Sequence, residues 1–381
     1  SPVNNAFAIP GGYVYTTRQL VALMNNEAEL AAVLGHEVGH VAARHSQRRQ
    51  ATAQRNTLLG AAGAILSGVL LGNSGLGQQL GQAALQGSQL LTLKFSRSQE
   101  LEADELGIRY LNSAGYDPRA MGTVLQSLAL QNALDARVQG RDNANIPEWA
   151  STHPDPASRV QTALAKAQAT GVTGGVTNRD TFLTRIDGLT YGDDPSQGVV
   201  EGRRFIHPDL RLAFTAPQGF YMINGTRAVT INGQSGQAQF SLAPYNNDLN
   251  SYVTSVFAGV SEQQQIRPQS IQRTTVNGLP AAYGTARVAS GNGQVDVTVF
   301  AYEFASDMFA SMQRIDSQTA ANVIPRVVDV VTVGSGDTVA SLARRMAYSD
   351  NQIDRFRVLN GLTSNEGLSV GQKVKIVVRG R

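Results

Sequence analysis

The sequence predicts an α+β protein in three parts. Apolar residues recur at helical spacing up to about residue 170, they alternate at period two from about 200 to 322, and the last fifty or so residues read strand, helix, helix, strand. A length of 381 residues suits two or three cores. With 42% hydrophobic and only 16% charged residues, the chain is not globally disordered.

Phe7, Ile9, Tyr13 and Val14 flank Pro10-Gly11-Gly12, which predicts an opening hairpin. Asn26 with Glu29 three residues later resembles a capping box, and Leu30, Val33, Leu34 and Val41 then mark one helical face as far as Arg44, Arg48 and Arg49. A second helix is expected from about Ser98 to Asn112, stopped at Gly115; a third starts after Asp117-Pro118, and a fourth covers about Ala157 to Ala169. The apolar run Thr57–Leu71 lies in an uncharged, Gly- and Gln-rich segment, Asn56–Leu93. A spanning helix needs about 20 mostly apolar residues, so the segment reads as buried or as touching a membrane peripherally through 57–93.

Residues 170–175 (Thr-Gly-Val-Thr-Gly-Gly) break the composition, and 171–199 reads as a linker between a domain over 1–170 and a strand-rich domain over 200–322. In that domain Val229 and Ile231 alternate before Asn232-Gly233 with Ala238, Phe240 and Leu242 after it, and Val295, Val297 and Val299 follow Gly291-Asn292-Gly293; both are hairpin signals. No chemical constellation stands out there. The final unit, 328–378, places strands at Val328–Val333 and Lys373–Val378 around helices at Thr338–Ala347 and Asn351–Leu359.

The absence of cysteine excludes disulfides, thiol catalysis, iron–sulfur clusters and cysteine zinc sites, so any metal must be held by His, Asp and Glu. A net charge of +3 is too small to indicate a nucleic-acid partner, and none is expected. The chain opens at Ser1-Pro2-Val3 without a basic and apolar leader, which reads as a mature or truncated end.

His36-Glu37-Val38-Gly39-His40 decides the chemistry. Residues four apart share a helix face, so both imidazoles can reach one cation while Glu37 flanks it; zinc suits this nitrogen and oxygen set, one ion per chain. A third ligand is needed. Of Glu100, Glu102, Asp104 and Glu105, the first and third share a face, so Glu100 is expected as ligand and Asp104 as the carboxylate that orients a ligand imidazole. Glu102 and Glu105 read as solvated surface. His45, five residues past His40, reads as structural, as does His207 before its proline.

Asn5 to Gly12, His36 to His40, Ser96 to Asp104 and Ser151-Thr152-His153-Pro154 together resemble the HtpX/BepA-type zinc metallopeptidases of peptidase family M48, over about residues 1 to 168. The resemblance implies a mainly helical gluzincin domain, Glu100 as third ligand, and a site role for His153, either as a fourth ligand closing the metal position or as a donor to the transition-state oxyanion. Arg159 would orient that loop, pair with a carboxylate or lie on the surface; Trp149 reads as a packing anchor.

Residues 333–339, 357–362 and 368–374 resemble a lysin-motif (LysM) module. That implies binding of peptidoglycan or another N-acetylglucosamine glycan through loops holding Gly336, Asp337, Thr338, Asn360 and Leu362. Expected in sum is a periplasmic, envelope-bound zinc metalloendopeptidase acting on misfolded or stalled proteins, with Glu37 as base. The alternatives are a glycan-bound chaperone or assembly factor with a closed metal site, and a peptidoglycan hydrolase. Since the metal residues precede about residue 155, the LysM unit is expected to be dispensable for catalysis.

Overall fold

The computed structural model describes residues 3–9, 11–49, 95–138, 153, 156–225, 228–233, 236–242, 248–260, 266–276, 279–290, 293–302 and 313–380. The apolar segment 57–93 and Trp149 lie outside these. Among the described residues no helix is long and apolar enough to cross a membrane. The chain forms two compact units, one of Ser1–Gly192 with Arg326–Gly380 and one of Asp193–Pro325.

The first unit opens with the hairpin β1 (Ala6–Ile9) and β2 (Tyr13–Thr16), in which Phe7 faces Tyr15 and Ile9 faces Tyr13. Thr17 caps α1 (Arg18–Leu23) through a bond from the Leu20 N–H to its hydroxyl. Asn26 caps α2 (Glu27–Ala42) by accepting from the Glu29 N–H at 2.9 Å. Its partner Glu29 departs from a plain capping box, because its carboxylate reaches back to the Asn25 N–H at 2.7 Å and to the Thr123 hydroxyl at 2.7 Å. Ser96 and Gln99 make a full capping box for α3 (Arg97–Ser113). Helices α4 (Ala120–Val138), α5 (Pro156–Ala169) and α6 (Arg179–Ile186) complete a core built on Leu20, Met24, Ala32, Ile108, Leu125 and Leu183. The stretch 171–199, expected as a linker, thus carries a helix whose Phe182, Leu183 and Ile186 are buried in that core, followed by strand β3 (Thr190–Tyr191). Apolar periodicity outweighs the local glycine content there.

The second unit holds a four-stranded sheet ordered β13-β6-β5-β4, from β4 (Val199–Glu201), β5 (Arg204–His207), β6 (Leu212–Thr215) and β13 (Gln313–Arg314). Two three-stranded meanders accompany it, β7 (Phe220–Asn224), β8 (Ala228–Gly233) and β9 (Gly236–Ser241), and β10 (Ile271–Val276), β11 (Leu279–Ser290) and β12 (Gly293–Tyr302). Helices α7 (Leu249–Gly259) and α8 (Ser317–Ala321) belong to this unit, and α7 contributes Leu249, Val253 and Phe257 to the core of the second meander. The alternation read around Asn232-Gly233 is a hairpin, with Val229 facing Phe240 and Ile231 facing Ala238. Its reversal falls later than the sequence suggested, because Gly233 itself pairs with Gly236.

The terminal segment forms β14 (Arg326–Thr332), α9 (Val339–Ala343), α10 (Gln352–Leu359) and β15 (Lys373–Arg379), the expected βααβ order. Its own core of Val333, Leu342, Phe356, Val374 and Ile376 is closed. It is nevertheless built into the first unit. β14 pairs with β3, and Val358 packs in the helical core. Fully buried Lys375 crosses from β15 and donates to the carbonyls of Ala22, Leu23 and Met24 at 2.8, 3.2 and 2.6 Å, where α1 ends. Burial lowers this ammonium, and the charge of buried Glu29 acts against that. Arg179 ties the same place by donating to the Asn25 and Lys373 carbonyls, each at 2.8 Å. Gly361, at φ +64°, leaves room for Asn25, whose Nδ2 would lie 2.9 Å from an added Cβ.

Deleting residues 328–381 therefore should not leave the catalytic domain intact, contrary to the expectation from sequence: the truncated chain is expected to lose cooperative thermal unfolding in circular dichroism. Lys375→Met, which strips the donor from three buried carbonyls, is expected to cost about 1–3 kcal/mol in denaturant titration. A variant as stable as the parent would show that this cation holds nothing together.

Candidate metal centre

The site is built where α2 and α3 touch. A Cβ at Gly39 would lie 3.0 Å from the Ala103 carbonyl oxygen, and one at Gly107 would lie 3.1 Å from the His36 nitrogen. Small residues on both helices thus set how close the backbones come. One turn apart on α2, His36 and His40 bring their Nε2 atoms to 2.9 Å. One turn apart on α3, Glu100 and Asp104 face them. The Glu100 carboxylate lies 3.4 Å from His40 Nε2 and 3.6 Å from His36 Nε2, whereas Asp104 Oδ1 lies 2.9 Å from His36 Nδ1.

Arg159 of α5, 1% exposed, answers the two carboxylates. Its Nε and Nη2 donate to Asp104 at 2.8 and 2.5 Å and its Nη1 donates to Glu100 at 2.5 Å. Of the roles open to Arg159 in the sequence, the structure selects the carboxylate pair. Burial alone would push the Asp104 carboxyl up, but hydrogen bonds from His36 and Arg159 outweigh it and hold Asp104 well below the usual carboxylate range. Glu100 lacks an imidazole N–H bond of that kind, and burial raises it. Burial lowers both ligand-face histidines, His40 to about 3, so each imidazole is neutral near pH 7 and has a lone pair to offer.

His153 comes to the same place, its ring centroid 5.4 Å from those of His36 and His40. Its Nε2 is 3.5 Å from Glu37 Oε1. Burial, then the nearby Glu100 carboxylate, raises Glu37 to about 8, opposed by a bond from the Ala8 backbone N–H. A cleft of about 390 Å³ opens beside these groups, lined by Phe7, Ala8 and Ile9 of β1, by Val41 and by Phe95.

The donor set suits a metal. His36, His40, Glu100 and His153 are all buried, and each offers one ligand atom within 4.8 Å of the others. The His36 Nδ1 proton goes to Asp104, so the His36 Nε2 lone pair is turned toward His40 Nε2, 2.9 Å away. Glu100 Oε1 is buried and accepts no hydrogen bond among the described residues. A dication placed among these atoms relieves both conditions and offsets the carboxylate charge that one guanidinium leaves.

The other sequence candidates are distributed as follows. Glu105 pairs with Lys166 at the surface. Glu102 is half-exposed but accepts from Arg48 at 2.9 Å and meets His45 at 3.2 Å, and His45 in turn meets His40 at 2.8 Å; helix-wheel reasoning missed this contact. In the terminal unit Asp337 accepts from the Gly334 N–H, Thr338 caps α9, and Leu362 packs against the module's core. Asn360 is not offered to a ligand: its buried amide bonds the Phe356 and Lys375 carbonyls and the Lys375 N–H. Gly336 is exposed in a left-handed turn at φ +86°.

Two parts of the chain match known domain families. Residues 1–167 match Peptidase family M48 and residues 331–377 match the LysM domain. The chain carries both domains, and the first implies a divalent metal at the His36 group. A beta-barrel assembly-enhancing protease of Escherichia coli O157:H7 is 38% identical over 166 residues, which are 43% of this chain and 32% of that one. A mitochondrial metalloendopeptidase OMA1 of Arabidopsis thaliana is 35% identical over 169 residues, 44% of this chain and 30% of that protein. A metalloprotease LoiP of Escherichia coli K12 is 30% identical over 169 residues, 44% of this chain and 60% of that protein. The chain spans about a third of the length of the assembly-enhancing proteases it matches.

Removing Arg159 leaves two buried carboxylates facing each other. Arg159→Ala is expected to cost about 3–5 kcal/mol in denaturant titration of the metal-free protein. A loss below about 1 kcal/mol would mean that the carboxylates take up protons without penalty.

Proposed function

We propose that this chain is a zinc endopeptidase of the bacterial cell envelope that hydrolyses peptide bonds of misfolded or stalled envelope proteins, and that its LysM module keeps it near peptidoglycan or another N-acetylglucosamine glycan. The convergence of His36, His40 and Glu100 beside Glu37, under a strand edge, carries this reading. The metalloprotease names of the relatives and the LysM match support the envelope setting.

His36, His40 and Glu100 would hold the ion, and Asp104 fixes the His36 tautomer by accepting its Nδ1 proton. Bound zinc supplies Lewis acidity that polarises a peptide carbonyl and makes water acidic near neutral pH. Glu37 takes a proton from the attacking water on its carboxylate and returns it to the leaving amine. Its raised pKa keeps the carboxyl close to the range where it can do both, and a cation beside it draws that value down. An extended substrate lies along β1, whose second edge has no strand partner among the described residues; backbone pairing gives affinity with loose side-chain demands. Exposed Phe7 and Ile9 offer it an apolar border.

His153, which offers a fourth ligand atom, would restrain the resting enzyme by helping to hold the ion. That closure also favours a second reading, a glycan-held chaperone whose metal site stays shut. Glycan contact falls to the exposed backbone around Gly336 and Thr338, since Asp337 and Asn360 serve the module's own turns.

Casein cleavage with muropeptide release from purified walls as a counter-assay tests the function. Glu37→Gln is expected to lower proteolysis about 100- to 10 000-fold while zinc content stays at one per chain. Unchanged cleavage would remove Glu37 from the chemistry, and muropeptide release in place of casein cleavage would make the protein a wall hydrolase. His153→Ala is expected to raise basal cleavage; a fall of roughly 100- to 1000-fold would instead make His153 an oxyanion donor. Glu100→Ala is expected to lose the metal and Glu102→Ala to keep it stoichiometrically.

A further inference from the structure

We propose that His45 and Glu102 are positioning residues for the metal site, forming a relay that fixes the tautomer of His40. The inference rests on the zinc reading above. It begins where α2 ends. Continuing the helix would turn His45 away from His40, but α2 stops at Ala42 and Arg44 adopts a left-handed φ of 54°. The next helical turn, residues 45–49, starts back underneath the ligand face. There the His45 side chain is fully buried, with its Nδ1 2.8 Å from His40 Nδ1 and its Nε2 3.2 Å from Glu102 Oε2.

Two facing pairs of atoms assign the protons. An ionised carboxylate only accepts, so the hydrogen between His45 and Glu102 sits on His45 Nε2. With its ring proton placed on Nε2, His45 presents a bare Nδ1 2.8 Å from His40 Nδ1, so His40 donates there and carries its proton on Nδ1. That leaves the His40 Nε2 lone pair turned toward Glu100 and His36, as a ligand requires. The opposite order would put a proton on His40 Nε2 and aim it into the site. His36 reaches the same state in one step, through Asp104. Both ligand imidazoles thus end on a carboxylate, one directly and one through a second imidazole.

The relay is braced at each member. Arg48 Nη1 donates to Glu102 Oε2 at 2.9 Å, Gln99 Nε2 donates to the His45 carbonyl, and the Phe95 ring stacks on His40 at a centroid distance of 4.1 Å. Glu102 is 44% exposed, so its share is expected to be the smaller one.

The test is zinc affinity by competition with a chromophoric chelator, on the full chain at fixed pH, alongside thermal unfolding of the metal-free proteins. His45→Phe fills the space and abolishes the acceptor; it is expected to weaken zinc binding about 10- to 100-fold. His45→Asn puts a carbonyl oxygen where Nδ1 was and is expected to stay close to the parent. Glu102→Ala, a surface change, is expected to weaken binding less than His45→Phe and carries the test with His45→Asn if the Phe variant does not fold. Cobalt-loaded His45→Phe should show a displaced visible spectrum. A packing role alone would lower the melting temperature of both His45 variants and leave zinc affinity where it was. Tight zinc binding by His45→Phe, or equal losses in the Phe and Asn variants, overturns the relay while the zinc site stands. A parent chain that holds no zinc overturns the site reading and the relay with it.

Discussion

A buried guanidinium holds the centre of this molecule together. Arg159 is almost sealed from solvent, and so are the Glu100 and Asp104 carboxylates it bridges. Without it, α3 would carry two acidic groups into a site whose other members are neutral imidazoles, and desolvation would drive the helices apart or protonate the acids. With it, Asp104 stays ionised and can hold His36 by its Nδ1, while Glu100 turns one oxygen toward His36 Nε2 and the other toward His40 Nε2. The glycine contacts at Gly35, Gly39 and Gly107 make the approach possible; the ion cluster makes it stable.

The same logic recurs at the other end of α2. Glu29 is buried there, tied to the Asn25 N–H and Thr123, and its charge is answered by Lys375 from the LysM strand. Glu29 lies in the first turn of the helix that carries His36, Glu37 and His40, so the charge of Lys375 acts on the element that presents these residues. A LysM segment fixed in this way cannot be treated as a tethered accessory: its β15 supplies the cation that meets the carbonyls at the end of α1.

Much of the architecture could be read from periodicity. Most helical stretches, the opening hairpin and the βααβ order of the terminal segment follow from apolar spacing and caps, whereas α1 was not read and α2 ends at Ala42, short of the expected Arg44 to Arg49. Glu100 and Asp104 were separable from Glu102 and Glu105 because residues four apart on a helix share a face. His45 was misjudged for a related reason. A helical wheel holds only while the helix continues, and the left-handed turn at Arg44 returns His45 to His40, which in turn gives Glu102 a partner among the buried groups. Composition misjudged 171–199, where scattered glycines surround an apolar face that closes the core.

By itself the sequence determined the candidate donor set: two histidines at one-turn spacing with a glutamate between them, a second acidic pair at the same spacing, and no cysteine to offer a different donor set. Those features are local, and one-turn geometry is fixed by the backbone. What tertiary structure decided were the partners far along the chain: Arg159 for the carboxylates, His153 beside Glu37, and Lys375 for Glu29. A lone cation or imidazole has no periodic signature, and its partner is selected only when burial removes water and leaves each charge to the nearest opposite one.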